Sequence, residues 1–161
     1  MFKVLFIDEQ YPYFKKELRG LEPISPPIGL MYIATYLKNK LKDKVKVKVT
    51  HRAADCLSKK QLINILQEYR PDIVGIRSLN IFAKQFHETT KAIKEFRKNI
   101  IIVAGGPYVS MDLKEAAKDK DVDYFVIGEG EITFFNIIKN FCNGQIPTDV
   151  RSTAYWRKGN L

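Results

Sequence analysis

The sequence predicts an α/β protein: a doubly wound parallel sheet of five strands in the order 2-1-3-4-5, with helices on both faces. Three observations predict it. Short β-branched runs alternate with stretches of helical periodicity, the pattern of serial βα units. The first run is apolar at successive positions, as a strand covered on both faces must be. Another run alternates lysine and valine, which suits an edge of the sheet. The chain has 161 residues, 45% of them hydrophobic and 28% charged, an ordinary balance for one globular domain with a core.

The first strand is Lys3–Asp8, with Val4-Leu5-Phe6-Ile7 at its centre. A loop rich in Tyr, Pro and Glu runs from Glu9 to Pro26, and long loops in compact domains are often functional. Ser25-Pro26-Pro27 opens the first helix, because the N–H that proline lacks would be unpaired there anyway. Leu30, Ile33, Ala34, Leu37 and Leu41 share one face of it. Lys44–Thr50 is the alternating edge strand. Ser58 to Gln61 is a capping box that starts a helix with Leu62, Ile65, Leu66 and Tyr69 on one face. Ile73-Val74-Gly75-Ile76 is the third strand, and Phe82, Phe86, Ile93 and Phe96 mark the next helix.

Ile100–Ala104 is the fourth strand and ends in Gly105-Gly106-Pro107. Ser110 is placed to cap a short helix containing Leu113, Ala116 and Ala117. Tyr124–Ile127 is the fifth strand and ends in Gly128-Glu129-Gly130-Glu131. The last helix carries Phe134, Phe135, Ile138 and Phe141, and Asn143-Gly144 ends it. Residues 152–157 read as a further strand, and Lys158-Gly159-Asn160 as a hairpin turn whose returning strand is absent. Residues 1–144 are therefore expected to form the domain. Residues 145–161 are expected to begin a link toward a further one, in a longer protein.

Composition excludes several classes. No apolar run approaches the roughly 20 residues of a membrane span. The N-terminus reaches Asp8 too soon for a signal peptide, so a cytoplasmic protein is expected. Cys56 and Cys142 form no paired motif, which excludes a disulfide scaffold, a zinc ribbon and a three-cysteine iron–sulfur site. The net charge of +9 invites a nucleic-acid reading, but the excess is mostly lysine spread along the chain, and neither nucleic acid nor membrane is an expected partner. The glycine-rich signatures of dinucleotide and P-loop sites are absent. His51 and His87 have no Ser or Cys partner nearby in sequence. A phosphorelay receiver would need Asp after the third strand, where Arg77-Ser78-Leu79 stands, and Lys after the fifth.

In such sheets the ligand crevice lies at the carboxyl ends of the strands, by the switch between the first and third. That rule selects Asp8–Tyr11, Arg77–Asn80, Gly105–Tyr108 and Gly128–Glu131. Gly105 and Gly106 either let backbone approach a bulky ligand or serve a turn that needs glycine. Ser78 either bonds a ligand or caps the next helix. The glutamates of the Gly128–Glu131 turn complement the dipole of the last helix, which argues against a phosphate cradle there.

Several stretches together resemble the N-terminal cobalamin-binding domain of B12-dependent radical S-adenosylmethionine enzymes. They are Pro26-Pro27-Ile28-Gly29-Leu30-Met31-Tyr32-Ile33-Ala34-Thr35-Tyr36-Leu37, Arg70-Pro71-Asp72-Ile73-Val74-Gly75-Ile76, Val103-Ala104-Gly105-Gly106-Pro107-Tyr108 and residues 122–131. Ala154–Asn160 is similar to the hairpin that leads to that family's catalytic barrel, as in relatives of the anaerobic magnesium-protoporphyrin IX monomethyl ester cyclase. The resemblance implies a module that holds a corrinoid, with its dimethylbenzimidazole tail in a cleft of the sheet. It implies cofactor contacts from Glu9, Gln10, Tyr11, Ser78, Leu79, Asn80, Gly105, Gly106, Pro107, Tyr108, Gly128, Glu129 and Gly130. Asp8-Glu9-Gln10-Tyr11-Pro12-Tyr13 has no histidine where other cobalamin domains carry one, which implies base-off cobalamin without a protein ligand to cobalt. S-adenosylmethionine, the [4Fe–4S] cluster and the chemistry (methyl transfer or oxidative cyclisation) would belong to the parent's own radical domain. The alternative is a flavodoxin-like signalling or interaction domain with no cofactor.

Overall fold

Successive side chains of a strand point to opposite faces of its sheet, so a strand apolar at every position must be covered on both sides. β1 (Phe2–Glu9) meets that condition, with Val4, Leu5, Phe6 and Ile7 all buried. It lies between β2 (Val45–His51) and β3 (Ile73–Ser78), parallel to both. The computed structural model describes residues 1–11, 24–56, 58–156 and 161. The sheet continues through β4 (Ile101–Gly105) and β5 (Tyr124–Val126), and the order of these five strands is the expected 2-1-3-4-5.

A sixth strand, β6 (Thr153–Tyr155), corrects the five-strand expectation. It pairs antiparallel with β5, Tyr124 opposite Tyr155. The segment that sequence leaves without a partner finds one in the free edge of β5. The two tyrosine rings lie 5.9 Å apart, and the Ile127 N–H donates to the Ser152 carbonyl. Residues 12–23 of the long loop and the Lys158–Asn160 turn lie outside the described residues.

The helices are α1 (Ile28–Leu41), α2 (Arg52–Asp55), α3 (Lys59–Tyr69), α4 (Ala83–Phe96), α5 (Pro107–Met111), α6 (Leu113–Ala116) and α7 (Glu131–Cys142). α1 and α7 bury Leu30, Ala34, Leu37, Phe134, Ile137 and Ile138 against one face of the sheet, over Val4, Phe6, Val103 and Val126. α3 to α6 cover the other face, where Leu62, Leu66, Phe86, Ile93 and Val109 meet Leu5, Ile7, Val74, Ile76 and Phe125. Each fully buried apolar side chain contributes about 1.5–3 kcal/mol. β2 is the edge the lysines predicted: Val45 is buried while Lys46 and Lys48 are exposed.

Ser58 and Gln61 form the expected capping box of α3. Ser110 does not cap the short helix after β4; Asp112 does, its carboxylate accepting from the Glu115 N–H. The reason is Pro107, whose fixed φ favours the first helical position. α5 begins there and places Ser110 inside it. Among the described residues no helix is long and apolar enough to cross a membrane.

Candidate functional site

The carboxyl ends of β3, β4 and β5 open into a crevice of about 410 Å³ bounded by α1 and α7. That volume is in the range of small-molecule sites. Phe6, Val103, Val126 and Phe134 supply apolar surface from the sheet and α7, and Leu30 and Ile33 face them from α1. The Gly105-Gly106-Pro107 and Gly128-Glu129-Gly130 turns form the remaining wall.

Two glycines are required by the surrounding atoms. A Cβ on Gly75 would stand 2.6 Å from the Phe6 ring and 2.9 Å from Phe134, whose own rings are 4.8 Å apart. Gly75 thus lets the aromatic pair close over the middle of the sheet. Gly106 has φ of +89°, where side chains are rare, and a Cβ there would meet Arg77 Cγ at 2.8 Å. The two turns are stitched together by Ser110, whose hydroxyl oxygen accepts from the Gly128 N–H at 2.9 Å.

The other half of the carboxyl edge, at the ends of β1 and β2, is filled with charge. Asp8 is buried; its Oδ1 accepts from Arg77 Nη1 at 2.8 Å, and His51 Nε2 lies 3.6 Å from its Oδ2. The His51 Nδ1 accepts from the Ala53 N–H. Glu9 is buried beside Arg52, 3.5 Å from its Nε, and that nitrogen donates to the Tyr11 hydroxyl at 2.7 Å. Burial pushes the Glu9 carboxyl up to about 7, against the opposing pull of the Arg52 guanidinium. Burial, reinforced by Glu9, pushes Tyr11 up to about 12.

The structure therefore divides the residues selected from sequence. Gly105, Gly106, Pro107, Gly128, Glu129 and Gly130 line the crevice together. Glu9 and Tyr11 belong to the charged half, with Gln10 next to them, its carbonyl accepting from the Ala53 N–H. Ser78 is buried next to Glu9 in register, and its hydroxyl donates to the Leu79 carbonyl. Leu79 is half-buried and Asn80 exposed, on the turn that leads into α4. Tyr108 packs into the opposite core, under Phe86, with its hydroxyl 3.1 Å from His87 Nε2. His87 in turn faces Asp119 at 2.9 Å and so serves α4 and the loop before β5.

Sequence reasoning selected Arg77 with its strand end but gave it no cofactor contact, and it passed over Ile33 and Phe134 as crevice residues. Arg77 was detectable as the one charge in an otherwise apolar strand. Ile33 and Phe134 carry the same helical spacing as core residues, so periodicity alone cannot separate lining from core.

A wider groove of about 990 Å³ lies beside the amino ends of β4 and β5, lined by Tyr124, Phe141, Tyr155 and Trp156. Lys120 Nζ sits 3.1 Å from the centroid of the Trp156 ring there. Topology assigns ligands to the carboxyl ends of such sheets.

A family model for the B12 binding domain matches residues 19–138. The chain is 26% identical over 137 residues to an uncharacterised methyltransferase of Pyrococcus horikoshii, covering 84% of this chain and 29% of that protein. It is 26% identical over 175 aligned residues to the cytidylyl-2-hydroxyethylphosphonate methyltransferase of Streptomyces wedmorensis, covering 96% of this chain and 31% of that one. The chain thus spans about three tenths of the length of these curated relatives. Among solved structures it matches the radical S-adenosylmethionine methyltransferase TsrM from Kitasatospora setae, with a TM-score of 0.72 at 18% identity over 98% of this chain. One TsrM structure holds cobalamin and a [4Fe–4S] cluster, and there this chain covers 28% of the protein.

Proposed function

The chain belongs to the B12-binding domain family, and from that premise we propose that it is the corrinoid-holding module of a larger radical S-adenosylmethionine enzyme. The observation that carries the reading is the open, glycine-walled crevice at the carboxyl ends of β3 to β5. The residues present fit the nucleotide tail of a base-off cobalamin. Phe6, Val103, Val126 and Phe134 offer apolar surface to a flat base, and Leu30 and Ile33 close over it from α1. The Gly105-Gly106 turn lets backbone approach the tail without side chains in its way.

The corrin ring would then rest on the rim, beside the Gly128–Gly130 turn, with Asp8 to Tyr11 toward its lower side. His51, the histidine nearest the charged half, faces Asp8 with one ring nitrogen and the Ala53 N–H with the other. Exposed apolar side chains also stand in the segments that follow the strands: Ile28, Met31 and Tyr32 in the first turns of α1, Ile81 after β3, Met111 at the end of α5 and Ile132 at the start of α7. Such a collection suits a large apolar ligand face and a covering domain.

When bound, cobalamin supplies a cobalt centre able to take up and give away a methyl group. The residues of this chain hold and orient it. S-adenosylmethionine and the [4Fe–4S] cluster would belong to the remainder of a longer parent. The two cysteines are free thiols on different elements, and among the described residues no group of three His, Cys, Asp or Glu is placed to hold a metal ion.

Titration of the chain with hydroxocobalamin tests the reading. The expected result is micromolar binding with a visible spectrum changed to the base-off form. No spectral change and no calorimetric heat would overturn it and favour a cofactor-free interaction domain.

A further inference from the structure

The crevice is apolar where it is deepest in the sheet, over Phe6, Val103, Val126 and Phe134, and its polar side chains, Arg77, Ser110, Glu129 and Glu131, are none of them buried. Arg77 donates to Asp8, and the Ser110 hydroxyl accepts from Gly128. Glu129 and Glu131 stand at the start of α7, where negative charge is favoured by the helix N-terminus. Among the described lining residues there is no amide or imidazole side chain, and Ser110 is the one hydroxyl.

A tail base entering here loses its water. A benzimidazole with two methyl groups leaves little behind, since its edge is hydrocarbon apart from the nitrogen released by cobalt. A purine brings an exocyclic amine and further ring nitrogens, each of which must find a partner or be buried unpaired. An unpaired buried polar group costs enough to lower affinity about tenfold or more.

We infer that this crevice selects the lower base of its corrinoid, accepting a dimethylbenzimidazole tail and rejecting a purine tail, with Ile33, Val103, Val126 and Phe134 as the specificity-determining side chains. The inference rests on the corrinoid reading of the same crevice and goes beyond it by stating which tail is refused and which side chains refuse it. Its origin is desolvation alone, so a polar group placed beside the base should weaken the preference. Ile33 is the side chain to change, because it is only half-buried and its replacement spares the sheet.

The experiment compares three corrinoids on the intact chain by calorimetry and visible spectroscopy: cobalamin, its adenine-tailed analogue, and tail-less cobinamide. Each affinity is corrected for that corrinoid's own base-off equilibrium, read from its acid titration in free solution. The expected order is cobalamin at least about tenfold tighter than the adenine form, which removing one unpaired group would account for. Cobinamide is expected to be weaker than cobalamin, and I33N to narrow the cobalamin-to-adenine ratio. Equal affinity for the two tailed forms overturns the selectivity while leaving the corrinoid module intact. Equal affinity for all three overturns the use of the crevice by any tail. Binding of none overturns the module reading and this inference together.

Discussion

The two halves of the sheet's carboxyl edge are built from opposite chemistry. At β1 and β2, Asp8, Glu9, His51 and Arg52 are buried together at the strand ends. At β3 to β5, glycines stand at the turns and a cavity of about 410 Å³ remains. The difference teaches how one edge can be both anchored and open. Charges taken out of water need one another at short range, and the β1–β2 half sets Asp8 against Arg77 and Glu9 beside Arg52. A glycine turn leaves no side chain to fill the gap, so the β3–β5 half stays available.

The largest expected effect comes from removing the aromatic wedge under the open half. Phe6→Ala should destabilise the fold by about 3–5 kcal/mol in chemical denaturation, because Phe6 is fully buried against Phe134. A cost under about 1 kcal/mol would mean that the crevice side of the sheet collapses readily and is less built than described.

Glu9 gives the next effect and belongs to the closed half. Its folded-state pKa is raised from 4.5 to about 7, so the folded chain holds this proton more firmly than the unfolded chain. That stabilising contribution is complete below about 4.5 and is lost as pH rises through about 7. The span corresponds to a change of about 3 kcal/mol. Glu9→Gln should remove it, so the variant gains stability relative to the parent as pH climbs from 4 to 8, measured by urea midpoints. A flat difference across that range would place Glu9 in contact with water.

Gly106→Ala should cost about 1–2 kcal/mol through its positive φ and its contact with Arg77. It should also weaken cobalamin binding, which a purely local strain would not do. The smallest effect serves as a reference. Ser58→Ala breaks the capping box of α3, which neither lines the crevice nor joins the buried charges, and should cost about 1 kcal/mol while leaving corrinoid affinity unchanged.

Much of the fold was legible because its signals are local. The apolar run of β1, the lysine alternation of β2 and the Ser58–Gln61 box each depend on a few consecutive residues. β6 was not legible as a sheet member, because three residues gain strand structure only from the free edge that β5 happens to present. The Ser110 assignment failed for a neighbouring reason: Pro107 starts its helix earlier, and Asp112 takes the capping role. At the site, the strand-end rule found the glycine turns. It could not tell which way Tyr108 points, since one residue of helical rotation separates the crevice from the opposite core. Nor could it see that Asp8 and Arg77 join, because their pairing depends on β1 and β3 lying side by side.

Arg77 belongs to both halves. Its guanidinium is grasped by Asp8, and its stem lies directly beneath the backbone of Gly106. The Gly106 turn is thus joined through a single arginine to Asp8 at the carboxyl end of β1, like a load through a tie-rod. A side chain larger than hydrogen at Gly106 must therefore displace Arg77, and with it the partner of the buried Asp8.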